Sequence, residues 1–287
     1  EGAEAGMDSS IYDCLDATNQ EAAYTASAEA LTSTFGDTID MESLTEVAIE
    51  NSGSLTDTEV FKAEVVGGIV EGSNDHESQD ENLEKIAGKA TELMGTDTGA
   101  ELISEKVAEK VKKRDGGSEL EELLAIAIKI IGQKRPSAIA NVTEKAMKKA
   151  KTRGTFDENT LVKKAAQASC EAAEGDPTKA SEGVAAYIAT DDTSSKHEKA
   201  LEGFESGDCG VDYSSEEDGK LDKILAGFEA KGLSYANMVS ATGKRGKAKG
   251  ADSSKIGKSL KRKLGGKGKD TELVIRLKKL LLKKDLD

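Results

Sequence analysis

Apolar residues recur at helical spacing along nearly the whole chain, and only two prolines, Pro136 and Pro177, interrupt its 287 residues. Proline inside a helix removes a backbone donor and clashes with the preceding turn, so its scarcity lets long helices run unbroken. No segment alternates apolar and polar residues as a half-buried strand does. Leu83, Ile86, Ala87, Ala90, Leu93 and Met94 fall on one helical face, and Leu102, Ile103, Val107 and Val111 make a second stripe. Lys112, Lys113, Arg114 and then Gly116-Gly117 follow that second stripe, the cations and glycine expected at a helix end. The run from Leu120 to Ile131 is apolar around most of its circumference. It predicts a central helix closed by Gly132, with Ile126, Ile128, Ile130 and Ile131 among the most buried side chains.

Helix starts are marked by the capping-box spacing, a hydroxyl followed three residues later by Glu: Thr56/Glu59, Ser118/Glu121, Thr155/Glu158, Ser195/Glu198 and Ser214/Glu217. Asp176-Pro177 places a cap residue before a proline at the first helical position. The pattern predicts an all-α chain of about a dozen helices with short links, in a multi-helix bundle or short α-solenoid with a basic C-terminal extension. Residues 1–115 read as an acidic helical region, 116–243 as a second helical region, and 244–287 as a basic linker plus an amphipathic helix. One internal match stands out: Lys199-Ala-Leu-Glu-Gly-Phe-Glu205 against Lys223-Ile-Leu-Ala-Gly-Phe-Glu229. It is either a duplicated unit or two helices that end alike.

The core these helices can build is small-grained. There is no Trp, with five Phe and five Tyr, so Ala, Leu, Ile and Val must supply it and helices can approach closely. The same composition removes the aromatic platforms on which single-stranded nucleic acids stack. No apolar run is long enough to make a transmembrane helix.

Charge is distributed unevenly. Residues 1–84 contain 21 Asp/Glu and one base, Lys62, whereas residues 244–287 hold 16 Lys/Arg against five acids. Such a dipole points to an anionic partner at one end or to one copy's tail meeting another copy's head. Residues 243–269 read as a flexible basic linker. Beyond them Leu273, Val274, Leu277, Leu280 and Leu281 form a helical stripe beside Arg276, Lys278, Lys279, Lys283 and Lys284. The candidate partner-binding residues are these five bases together with Lys244, Arg245, Lys247, Lys249, Lys261, Arg262 and Lys263.

Motifs for chemistry are weak. His76 and His197, the only histidines, occupy a polar link and a helix start and read as solvated. Cys14, Cys170 and Cys209 allow one disulfide with one cysteine left over, or three free thiols. Free thiols are the plainer reading, with Cys170 a small buried thiol in an Ala-rich helix. Gly257-Lys258-Ser259 lacks the upstream glycine and preceding strand of a phosphate loop, and the acids around Gly210 are out of register for a calcium loop. No catalytic residue, cofactor or metal site is assigned. A start at Glu1 without Met suggests processing, which leaves a secreted or organellar location as open as a cytoplasmic one. The expected function is that of a non-enzymatic structural protein self-associating through an acidic N-terminal region and a basic tail, as a homo-oligomer or larger assembly. The alternative is an adaptor whose tail binds nucleic acid or an anionic membrane by phosphate contact.

Overall fold

A computed structural model describes residues 7–13, 15–174, 176–207, 209–213, 219–251 and 260. Among them are a short 3-10 turn, Ser9–Tyr12, and twelve α-helices, with no strand. The helices are α1 (Ala17–Phe35), α2 (Met41–Leu55), α3 (Glu59–Ser73), α4 (Gln79–Met94), α5 (Asp97–Lys110), α6 (Leu120–Lys134) and α7 (Ile139–Arg153), then α8 (Glu158–Ala172), α9 (Pro177–Ile188), α10 (Ser194–Ser206), α11 (Lys220–Ala230) and α12 (Tyr235–Ala248). The chain divides into two units, the first ending at Phe156 and the second beginning at Asp157.

Helix starts are fixed by short polar side chains that accept a first-turn N–H, a contact worth about 1 kcal/mol each. Asp16 accepts from Asn19 N at 3.1 Å, Thr58 from Phe61 N at 3.2 Å, Thr96 from Gly99 N at 2.9 Å and Asp157 from Thr160 N at 2.8 Å. Asp176 caps α9 with Pro177 in its first turn, as the sequence predicts. The capping boxes are displaced. Thr58 rather than Thr56 caps α3, Asp157 rather than Thr155 caps α8, and Thr193 rather than Ser195 caps α10. Glu119 stands at the α6 cap, while the Ser118 hydroxyl donates to Asp80 at 2.6 Å. Ser214/Glu217 lies outside the described residues.

Packing follows a two-layer rule. In the first unit α1, α3, α5 and α7 lie side by side in one layer and α2, α4 and α6 in the other. In the second, α8, α10 and α12 form one layer and α9 and α11 the other. Each helix therefore meets the next but one along the chain, the arrangement of an α-solenoid. Within the first unit the layer-one helices begin at Ala17, Glu59, Asp97 and Ile139, a period of roughly 40 residues.

Glycines set the spacing within a layer. A Cβ on Gly68 of α3 would lie 2.7 Å from the Thr25 carbonyl of α1, and one on Gly203 of α10 2.7 Å from Ala166 Cβ of α8. The match between Lys199–Glu205 and Lys223–Glu229, 24 positions apart, has a physical reading. Gly203 and Gly227 occupy such crossings, Gly227 against Ser181 of α9. Phe204 and Phe228, the residues that follow, are fully buried with ring centroids 6.2 Å apart. The two segments are equivalent positions in opposite layers rather than successive repeats.

Helix α6 departs from the sequence reading. Ile128 and Ile131 are fully buried, but Ile126 and Ile130 are only half-buried, and the helix runs through Gly132 to Lys134. It packs on α4, α5 and α7, and Ile130 lies against Gly88 of α4 at the edge of that contact, where it stays partly open like Ile126.

Candidate interaction surface

Neighbouring helices in a layer are stitched by ion pairs with a consistent direction. The acid lies on the earlier helix and the base on the later. Glu64 pairs with Lys106, Glu71 with Lys110 at 2.7 Å and Lys112 at 2.7 Å, and Glu109 with Lys149 at 2.7 Å. In the other layer Glu46 meets Lys89 at 2.8 Å and Glu92 meets Lys134. In the second unit Glu158 meets Lys196 at 2.8 Å and Glu198 meets Lys244 at 3.4 Å. The pair Lys163–Glu202, at 3.6 Å, runs the other way.

The densest part of this ladder holds α12. Arg245 donates through Nε and Nη2 to Glu205, at 3.0 and 2.5 Å, and through Nη1 to Glu202 at 3.0 Å. Tyr213 donates its hydroxyl to Glu205 at 2.6 Å, and Lys249 lies 3.2 Å from the same carboxylate. Burial alone would push the Glu205 pKa up, but Arg245, Tyr213 and Lys249 outweigh it and hold the carboxyl below its usual range. The Glu205 carboxylate in turn raises the Arg245 pKa, while burial raises that of Tyr213.

Four of the sequence-predicted partner-binding residues can therefore be placed. Lys244, Arg245 and Lys249 are paired within the second unit, and Lys247 is exposed. Residues 243–248, read from sequence as the start of a flexible linker, are the last turns of α12, with Gly246 buried. Lys261, Arg262, Lys263, Arg276, Lys278, Lys279, Lys283 and Lys284 lie outside the described residues.

Both histidines are buried, contrary to the sequence reading. His76 reaches back 44 residues to the Thr32 carbonyl, at 2.8 Å, with Asp37 3.2 Å from its other ring nitrogen. That carbonyl can only accept, so Nε2 carries a proton. His197 is fully buried, its Nε2 2.6 Å from Asp192 and its ring edge-on to Phe228. Asp192 also accepts from Ser234 N at 2.5 Å and Asn237 Nδ2 at 3.0 Å, which ties the α9–α10 link to the start of α12. Burial works against the Asp192 charge, but these bonds prevail and lower its pKa. Burial lowers the pKa of His197, against the pull of Asp192, and its Nδ1 has no hydrogen-bond partner among the described residues. Beside it Lys196 lies between Glu158 and Asp191, at 2.8 and 2.7 Å, and the ion pairs raise its pKa despite burial. These are closed clusters that fasten helices.

Cys170 and Cys209 form a disulfide, Cα–Cα 5.4 Å, across 39 residues, in place of the expected free thiols. It fixes the link after α10 beneath the Glu205–Arg245 cluster. Cys14 lies outside the described residues. Among the described residues no three His, Cys, Asp or Glu side chains converge as a metal site would require, and no helix is long and apolar enough to cross a membrane.

What remains open is the beginning of the chain. Among the described residues Ile11, Leu15, Phe35 and Val60 are the exposed large apolar ones, and all fall within the first 60 positions. Helices α1 and α2 contain no base. A shallow depression of about 400 Å³ lies between α1 and α3, lined by Ala22, Ala26 and Phe61 and edged by Glu21, Glu29 and Glu64. Glu64 is engaged by Lys106 and Glu21 accepts from the Thr56 hydroxyl at 2.7 Å, whereas Glu29 has no ion pair among the described residues.

No protein-family model matches the chain, and no curated protein or solved structure is significantly similar to it.

Proposed function

We propose that the chain is a non-enzymatic helical-repeat protein that self-associates through its acidic N-terminal region and the basic segment beyond α12. One observation carries this reading: the first two helices hold acids and no base, and the last described helix holds bases and no acid. Interior helices such as α3 and α5 carry both signs and are matched by their neighbours. The unmatched charge of the first helices is thus acidic, and the surplus of Lys/Arg in residues 261–287 is of the opposite sign. A contact between unlike surfaces is heterologous, so it closes a ring or extends a filament.

Light scattering of the full chain at low salt and at about 0.5 M salt tests this. Exposed charge contacts are screened over about 8 Å at physiological ionic strength and less above it, so added salt dissociates the assembly. A chain ending at Leu260 retains the Arg245 cluster and is expected to be monomeric at both salts. Assembly that persists in the shortened chain refutes the proposal. Capture of duplex DNA or anionic vesicles by a chain that stays monomeric indicates the adaptor instead.

A further inference from the structure

We propose that the depression between α1 and α3 seats residues 271–284 of a second copy; this rests on the self-association reading above. The exposed large apolar side chains among the described residues all lie within the first 60 positions, two of them beside the depression in sequence. Leu15 precedes its lining residue Thr18 by three positions, and Val60 adjoins Phe61.

The depression matches the C-terminal segment in three respects. Its floor holds the small residues Ala22 and Ala26 beside Thr18 and Thr25 on α1, with Phe61 on α3, so apolar side chains of a docking helix can reach α1 between the acids. Its edge is acidic, Glu21, Glu29 and Glu64, and α1 and α2 supply no base to neutralise it. Residues 271–284 carry the complement: Leu273, Val274, Leu277, Leu280 and Leu281 on one helical face, with Arg276, Lys279 and Lys283 among the bases beside it. As a helix those 14 residues would span about 21 Å, against about 18 Å for the α1 residues from Thr18 to Glu29, long enough to cover the depression. An apolar stripe laid in an apolar groove, flanked by opposite charges, is a common mode of helix recognition.

The test uses full-length protein and, as probe, a fluorescein-labelled synthetic peptide of residues 270–287. Wild type is expected to assemble and to bind the peptide saturably at low salt, and excess peptide to dissociate the assembly. The double variant Glu21→Lys/Glu29→Lys is expected to weaken both by about tenfold or more, since it replaces attraction by repulsion at two positions. The control Glu42→Lys/Glu50→Lys makes the same charge change on exposed positions of α2 and is expected to behave nearly as wild type. Circular dichroism confirms that each variant is folded. If wild type assembles and the two double variants are affected equally, the groove assignment falls and self-association stands. If wild type never assembles, self-association falls, and peptide binding by such a monomer places the tail on its own body, which overturns seating on a second copy.

Discussion

Two glycine-to-alanine changes in the first unit are expected to move stability in opposite directions. Gly72 faces α1 across the tightest crossing of α3. A Cβ there would stand 2.8 Å from Thr32 Cβ and closer still to the Glu29 carbonyl, both part of a helix that cannot yield locally. Contact between such atoms normally needs about 3.4 Å or more, so α1 must retreat by more than half an ångström along a face that includes fully buried Tyr24 and Ala28. Overpacking costs about 1–3 kcal/mol, here about 2–3 kcal/mol because the obstruction is backbone, while the better helix propensity of alanine returns about 1 kcal/mol. The net expectation for Gly72→Ala is a loss of about 1–2 kcal/mol, or about 3–6 °C in Tm for a unit of this size. Gly53 of α2 is also helical, but its added Cβ would meet nothing nearer than Asp57 Oδ1 at 3.8 Å. Gly53→Ala therefore keeps only the propensity gain and is expected to raise Tm by about 2–3 °C. Thermal unfolding followed by circular dichroism reads both. If Gly72→Ala is as stable as wild type, or if both changes shift Tm the same way, close approach through glycine does not hold these layers together.

Three further expectations concern the second unit. The His197 pKa is depressed, so the unfolded chain binds a proton first and stability is lost as pH falls through the ordinary histidine range near 6.5. A fall of about 1 kcal/mol per pH unit below that value is expected, with the slope absent in His197→Gln; NMR of the ring proton and pH-dependent melts check it. Opening the Cys170–Cys209 bridge as a Ser/Ser double variant removes a 39-residue closure and is expected to cost about 2–4 kcal/mol, measured by urea denaturation. Arg245→Met removes the bidentate cation from buried Glu205 and leaves only the exposed Lys249 beside it, an expected loss of about 2–4 kcal/mol. Lys247→Met, on the same helix but exposed, is expected to change stability by less than about 0.5 kcal/mol.

Helices were legible in the sequence because their signal is local: stripes such as Leu83–Met94 repeat every turn, and one face of α4 is buried as that stripe requires. The caps were legible in kind but not in position, since Thr58, Asp157 and Thr193 stand close enough to the matching hydroxyls to take their place. Layering was hidden because it depends on contacts some forty residues apart. A search for Glu followed by Lys at that spacing would have found it: Glu64/Lys106, Glu105/Lys145 and Glu109/Lys149 are all in register. Ile126 and Ile130 misled because an apolar residue at the edge of a helix contact in a two-layer stack looks the same in sequence as one in a closed bundle. The histidines misled for a related reason. A polar link around His76 gives no sign that the ring folds back onto Thr32.

The direction of the ion-pair ladder bears on how the charge dipole is read. Within each unit, a layer whose acids pair forward with bases must begin on a helix that needs no base and end on one that needs no acid. Part of the dipole is therefore a consequence of the fold and says nothing about partners. What bears on assembly is the excess over that requirement. At the start of the chain Glu46 is matched by Lys89, whereas Glu29, Glu42 and Glu50 form no ion pair among the described residues. In α12 the reverse holds, because Lys244, Arg245 and Lys249 all answer acids of α10 and only Lys247 is spare. The surplus cations must then lie beyond α12, where ten Lys/Arg face four acids over residues 261–287. The attraction in the proposed assembly accordingly runs between the first helices and that terminal segment, and α12 serves to anchor it to the second unit.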